Sequence, residues 1–198
     1  MTPRRTDARA RVVAAAAEMM ARHGLNSTSI REMARRAEAP LGSTYHHFPG
    51  GKQQVVAEAV RHAGERIDTA IAEHLRAGPA AGLRGFLAMW RERLERSAFH
   101  GGCPVLAAAV EEPLDPESEG AAAVAAEAFA QWERRLRDAL ADAGVADSRA
   151  AELATVIVAA VEGAVVLSRA RRALGPFDRV AAQLERLVAE AVGEAPRR

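Results

Sequence analysis

The sequence predicts an all-α protein in which three short helices precede about six longer ones. Three observations lead there. Of 198 residues 49 % are apolar, but 47 are alanine and only 4 % of the chain is aromatic. Alanine is the best helix former, whereas β-branched and aromatic residues favour strands. Apolar residues recur at three- and four-residue spacing, with no strand-like alternation and no internal repeat. Glycine and proline fall between these stretches and punctuate them. The length suffices for a core without cross-links.

The first helix is expected from about Thr6 to His23, with Val12, Ala16, Met19 and Met20 on one face. Gly24 stands where a left-handed C-cap belongs. Ser29-Ile30-Arg31-Glu32 reads as a capping box: the serine oxygen takes an early helix N–H and the glutamate bonds back. The second helix then reaches about Ala37, with Ile30, Met33 and Ala34 inward. Pro40 suits the first position of a third short helix, which carries Gly42 to Phe48 and stops at Pro49-Gly50-Gly51. A long helix follows from about Lys52 to Ala77, buried along Val56, Val60, Ile67 and Ile71, until Gly78-Pro79 breaks it. The next spans about Ala80 to Ala98 around Leu83, Phe86, Leu87, Trp90 and Leu94. After the turn His100-Gly101-Gly102, Pro104 starts a short helix through Val110. Pro113-Leu114-Asp115-Pro116 is a further break. Helices are then expected from about Ser118 to Ala143, Ser148 to Leu174 and Phe177 to Val192.

The net charge of +1 conceals an asymmetry. Residues 1–52 hold nine Lys/Arg against four Asp/Glu, a balance of +5, and the remainder holds eighteen against twenty-two, a balance of −4. A basic segment on an acidic body suits a polyanion-binding head, although an arginine-rich solvated face gives the same count. The longest apolar run, Leu153 to Val161, ends at Glu162 and falls short of the roughly 20 residues a membrane span needs. Arg9, Arg11, Glu18 and Arg22 interrupt the N-terminal apolar stretch, unlike a secretory signal. The single cysteine, Cys103, permits neither an intrachain disulfide nor a cysteine-based zinc site. A reducing, cytoplasmic setting is expected, with no cofactor, no metal and no membrane partner.

Helices two and three, joined by a tight turn, have the layout of a helix-turn-helix, whose second helix enters the DNA major groove. Ser43 and Thr44 are short hydrogen-bonding residues at the start of that helix, and Gly42 permits close backbone approach. Tyr45, His46 and His47 offer polar groups at successive helical angles. As neighbours on a helix, the two histidines point about 100° apart and do not chelate one ion easily. Lys52, the single lysine beside 26 arginines, sits at a helix start, where N–H groups and the dipole favour phosphate. Thr28 and Ser29 are placed likewise.

The stretch Thr28-Ser29-Ile30-Arg31-Glu32-Met33-Ala34, then Gly42-Ser43-Thr44-Tyr45-His46-His47-Phe48 and Lys52, resembles the DNA-binding domain of TetR-family regulators over about residues 7–60. Pro40, Pro49-Gly50-Gly51-Lys52 and Gly102-Cys103-Pro104-Val105-Leu106 resemble the LmrA/YxaF-like branch. The resemblance implies an N-terminal three-helix helix-turn-helix DNA-binding domain (residues 1–52) and a C-terminal helical ligand-binding and dimerisation domain (residues 53–198). It implies a homodimer on a palindromic double-stranded operator, acting as a repressor and released by a small ligand. By position, Ser29, Ala39, Pro40, Gly42, Ser43, Tyr45, His46, His47 and Lys52 would face DNA. Three residues depart from the family pattern. Glu38 replaces a usual glycine, Leu41 a common basic residue and Thr44 a usual apolar one. They motivate an alternative, a helical small-molecule-binding protein whose head has lost specific operator recognition.

The resemblance places the dimer interface on the last two long helices, where Val158, Val161, Val165, Leu184, Leu187 and Val188 are the expected contacts, or else protomer core. Most remaining aromatics lie in the middle helices, so Phe86, Met89, Trp90, Phe99, Cys103, Leu106, Phe129 and Trp132 are the expected lining of a pocket for an apolar ligand. An enzyme is not expected. His100-Gly101-Gly102-Cys103 looks like an oxyanion-hole loop, but no Gly-x-Ser-x-Gly elbow accompanies it. Glu111-Glu112 reads as a solvated helix end.

Overall fold

A computed structural model describes residues 3–111 and 119–193. Among these every regular element is an α-helix and no strand occurs. The helices are α1 (Pro3–His23), α2 (Ile30–Arg36), α3 (Leu41–His47), α4 (Gly51–Leu75), α5 (Pro79–Arg96), α6 (Pro104–Val110), α7 (Glu119–Asp142), α8 (Asp147–Arg171) and α9 (Gly175–Gly193). The expected break at Pro113 to Pro116, the helix start at Ser118 and Glu112 lie outside the described residues.

Two compact units form, each discontinuous in sequence: residues 1–65 with 103–128, and residues 66–102 with 129–198. In the first, α1 packs against α2, α3 and α6. Val12, Ala16, Met19 and Met20 are buried as their spacing predicts, together with Met33, Ala34, Phe48, Val55 and Ala59. In the second, α9 packs on α5 and α8, around Leu83, Trp90, Leu94, Leu153, Ile157 and Phe177. The Phe177 N–H donates to the buried Ser168 hydroxyl at 3.1 Å and so pins the start of α9 to α8.

Helix ends follow the glycines in part. Gly24, Gly78 and Gly144 have φ of +81°, +86° and +93°, the left-handed region that glycine enters without a Cβ penalty. The C-cap of α8 is instead Arg172, at φ +48°, so Gly175 and Pro176 begin α9 rather than stop α8. Ala98 and Phe99 take φ of +49° and +62° after α5. At α2 half of the expected capping box is present. Ser29 Oγ accepts from Glu32 N–H at 3.2 Å, but the Glu32 carboxylate pairs with Arg35. The Glu32 carboxylate turns to Arg35 instead of the cap, and the arginine's hydrogen bond outweighs desolvation, keeping the glutamate below its usual pKa and raising that of Arg35. Pro40 is the N-cap of α3, one position earlier than expected.

The apolar stretch of α8 is longer than the run read from the sequence. Its apolar character continues past Glu162, and by length and composition it could cross a bilayer. Nine of its residues, Glu162 among them, are buried inside the protein.

Candidate nucleic-acid interface

The second helix of the pair, α3, is held at its start by hydrogen bonds of its own. Its N-cap carbonyl, Pro40 O, accepts from Thr44 N–H at 3.0 Å and from Thr44 Oγ1 at 3.1 Å. Thr44 is 1 % exposed. The residue read as a base-facing hydroxyl is therefore a core residue whose hydroxyl is satisfied inside its own helix, which is how it fills an apolar position. Thr28 is 4 % exposed and donates to Leu25 O at 2.7 Å, so it too is a turn residue turned inward.

The other predicted contacts keep surface exposed. Tyr45 is 51 % exposed, so its ring lies outside the small core. Gly42, His46 and Pro40 are exposed, and Ser29, Ala39, Ser43, His47 and Lys52 are at least partly so. A Cβ on Gly42 would meet nothing within 4 Å. The rings of His46 and His47 lie 5.9 Å apart and tilted by 59°. No metal-binding group of histidine, cysteine or carboxylates occurs among the described residues.

Among the described residues, four arginines of the head, Arg9, Arg11, Arg35 and Arg36, are engaged within it. Arg9 pairs with Glu58 at 2.6 Å and lies over the buried Phe48 ring, 5.2 Å from its centroid. Arg11 donates to Ala37 O at 3.0 Å, Arg36 pairs with Glu18 at 3.0 Å and Arg35 with Glu32. The turn after α3 is fixed through Gln54, which accepts from Gly50 N–H and donates to Glu58, both at 3.0 Å. Arg31 is exposed on α2 and enters no hydrogen bond or ion pair among the described residues. The sequence reading passed over it, although the inward phase of Ile30, Met33 and Ala34 already put Arg31 on the outer face.

In the second unit a small cavity of about 10 Å³ lies among α4, α5, α7 and α8. Of the predicted pocket residues it brings together Phe86, Trp90 and Trp132. Met89, Phe99, Cys103, Leu106 and Phe129 do not line it, although Phe129 packs edge-on against Trp132 at 5.1 Å. The rest of the lining is Ile67, Ile71, Leu136, Ile157, Val158, Val161 and the buried carboxylate Glu162. Trp90 Nε1 is buried without a hydrogen-bond partner among the described residues. Val158 and Val161 were assigned to a dimer surface, and here they face the protomer's interior. Val161, Val165, Leu184 and Val188 are 3 %, 0 %, 2 % and 1 % exposed, and Leu187 is half-buried. These four are protomer core, while Val158 and Leu187 keep part of their surface exposed. The outer side of α8 carries Val156, Val166 and Leu167, each nearly half exposed, with Ala159 and Gly163 between them and Ala170 one turn on.

Comparison with known proteins agrees with this geometry. Residues 12–59 match the family described as bacterial regulatory proteins, tetR family, and residues 79–183 match the transcriptional regulator LmrA/YxaF-like C-terminal domain. The HTH-type transcriptional regulator Rv0196 of Mycobacterium tuberculosis is 36 % identical over 183 residues, covering 91 % of this chain and 93 % of that one. The chain belongs to the TetR family of bacterial transcriptional regulators. A second relative, the HTH-type transcriptional regulator LmrA of Bacillus subtilis, is 34 % identical over 82 % of this chain and 86 % of its own. Among solved structures, regulatory protein TetR from Rhodobacter sphaeroides superposes with a TM-score of 0.81 at 23 % identity, over 91 % of this chain and 98 % of that one. A TetR-family regulator from Agrobacterium tumefaciens gives 0.78 at 25 %, over 92 % and 98 %. TetR-family regulators bind DNA and function as dimers, and they are not enzymes.

Proposed function

We propose that this TetR-family chain is a cytoplasmic repressor that binds a palindromic operator as a homodimer through residues 1–52. A small, mainly apolar ligand held in the body, residues 53–198, releases it. The observation that carries this reading is α3: a short polar helix whose Gly42, Tyr45 and His46 are exposed while Thr44 anchors it from behind. Major-groove reading needs that arrangement of outward polar groups on a fixed helix. Arg31 and Lys52 would contact phosphates, which sets affinity and its salt dependence rather than sequence choice.

The apolar outer face of α8 supports a second copy as its partner. Val156, Ala159, Gly163, Val166 and Ala170 recur at three- and four-residue spacing, and a Cβ on Gly163 would meet nothing within 4 Å. Contiguous exposed apolar surface marks an interaction site, and small residues let two helices approach closely. The cavity supports a ligand carrying an acceptor for Trp90 Nε1 in an otherwise apolar body. Its volume of about 10 Å³ suits roughly one water molecule, so a larger ligand selects an opened form. It lowers DNA affinity only by as much as it prefers that form.

The test is binding of the purified protein to its own upstream intergenic DNA and to a scrambled duplex across a salt series. A specific excess of roughly 10³ or more is expected. Equal binding to both, falling steeply with salt, would reject operator reading at that site and leave only attraction to phosphate.

A further inference from the structure

The turn between α1 and α2 is closed by a carboxylate from far along the chain. Glu111, which ends α6, accepts from Leu25 N–H through both oxygens at 3.0 and 2.9 Å, and from Asn26 N–H at 3.1 Å. Eighty-six positions separate Glu111 from Leu25. Gly24, at φ +81°, turns the backbone so that these successive N–H groups converge, and a Cβ there would overlap Glu111 Oε1. Converging backbone N–H groups form a nest for an anion, and such charge-assisted bonds are stronger than neutral ones. The contact continues into the reading pair. Leu25 is buried, its carbonyl accepts from Thr28 Oγ1 at 2.7 Å, and the next residue, Ser29, caps α2. Glu111 lies in the stretch matched by the C-terminal domain, while Leu25 and Asn26 lie in the stretch matched by the DNA-binding family.

We propose that Glu111 is a positioning residue for DNA reading: its carboxylate in the Gly24-Leu25-Asn26 nest fixes the start of α2, and with it α3, relative to α6. The inference rests on the DNA-reading proposal above. A head freed from this tie must be ordered on binding, which weakens a complex that needs both heads in register. Non-specific complexes have no register to keep. Electrostatics alone predicts the opposite sign, because removing a carboxylate strengthens attraction to phosphate.

The experiment uses the full chain. Wild type first selects a preferred duplex from a random-sequence pool. Wild type, Glu111→Ala and the charge-matched control Glu127→Ala are then measured on that duplex and on a scrambled one, and backbone amide exchange is followed at Leu25 and Asn26. Glu127 is exposed and enters no hydrogen bond or ion pair among the described residues. Relative to the control, Glu111→Ala is expected to lose about tenfold in affinity for the selected duplex and less than about twofold for the scrambled one, with faster exchange at both amides. Gly24→Ala, which crowds the carboxylate out, is expected to act in the same direction. Should Glu111→Ala not fold, Glu111→Gln, with one acceptor oxygen left, is expected to show a smaller loss. Selected-to-scrambled ratios equal to the control's, in whichever variant folds, overturn the inference while DNA reading stands. A wild type that selects no duplex overturns DNA reading, and the inference with it.

Discussion

Glu38 shows how a departure from a family pattern becomes physical. It follows the α2 C-cap at φ +51°, and Ala39 N–H reaches back to Ala34 O at 2.9 Å, the long bond of a Schellman motif whose turning residue is usually glycine. A left-handed conformation costs a residue with a Cβ about 1–2 kcal/mol. Part of that returns as the unfolded-state entropy of glycine. Glu38→Gly is therefore expected to stabilise the protein by about 1 kcal/mol, raising Tm by roughly 2–4 °C in thermal melts; an unchanged or lower Tm would refute the strain. Six positions earlier, Glu32 titrates below the ordinary glutamate range because Arg35 hydrogen-bonds its charged form. A depressed pKa means stability that is present above the ordinary value and lost as pH falls through the lowered one. An NMR titration should show that low midpoint, and Arg35→Ala should return it upward; a midpoint insensitive to Arg35 would show that the pair does not persist in solution. The sequence marked both residues but not their states. Departure from glycine was visible at Glu38, yet a positive φ at a non-glycine residue leaves no trace in composition. Glu32 had two possible partners, the cap N–H and Arg35, and spacing could not choose between them.

Element boundaries were legible wherever apolar phase and a breaker agreed. Gly24 caps α1 with the left-handed φ read for it, and the break read at Gly78 is there, also with positive φ. Boundaries drifted where a non-glycine took the left-handed role, as at Arg172, or where Pro40 became a cap instead of a first helical residue. Pairing between helices was not legible, because it depends on residues far apart in sequence. Asp68 on α4 and Arg135 on α7 form a two-pronged pair at 2.6 and 2.7 Å, with side chains 18 % and 35 % exposed. The Asp68 hydrogen bond outweighs desolvation and raises the Arg135 pKa. Exposure and side-chain entropy discount such a pair, so a double-mutant cycle on Asp68→Ala and Arg135→Ala should give a coupling of about 1 kcal/mol, at the upper end for solvent-facing pairs. A coupling near zero would mean that hydration replaces the bond in full.

At the scale of the whole molecule, periodicity identified apolar faces but not what covers them. Both stripes assigned to a partner, Val161 with Val165 and Leu184 with Val188, close against their own chain. The face left over on α8 interleaves Val156, Val166 and Leu167 with alanine and glycine, and periodicity alone could not say that this side rather than Val161 and Val165 stays uncovered. The cavity was half legible for the same reason. Its aromatic residues Phe86, Trp90 and Trp132 stood out, whereas Ile67, Ile157 and Glu162 look like any core position until α4 and α8 are placed around them. If the outer α8 face joins two copies, a charge there should separate them without disturbing either fold. Val166 is 47 % exposed, so a charge at that position desolvates only when a partner helix covers it. Wild type is then expected to sediment at about twice the 21.1 kDa chain mass, and Val166→Glu to shift toward one chain with its helical circular dichroism retained. Because a palindrome is bound by two heads held at fixed spacing, the same variant should lose the selected duplex while keeping weak, salt-sensitive binding to scrambled DNA. A wild type that sediments as a single chain would reject the pairing, and a Val166→Glu variant that remains paired would move the interface off this face of α8.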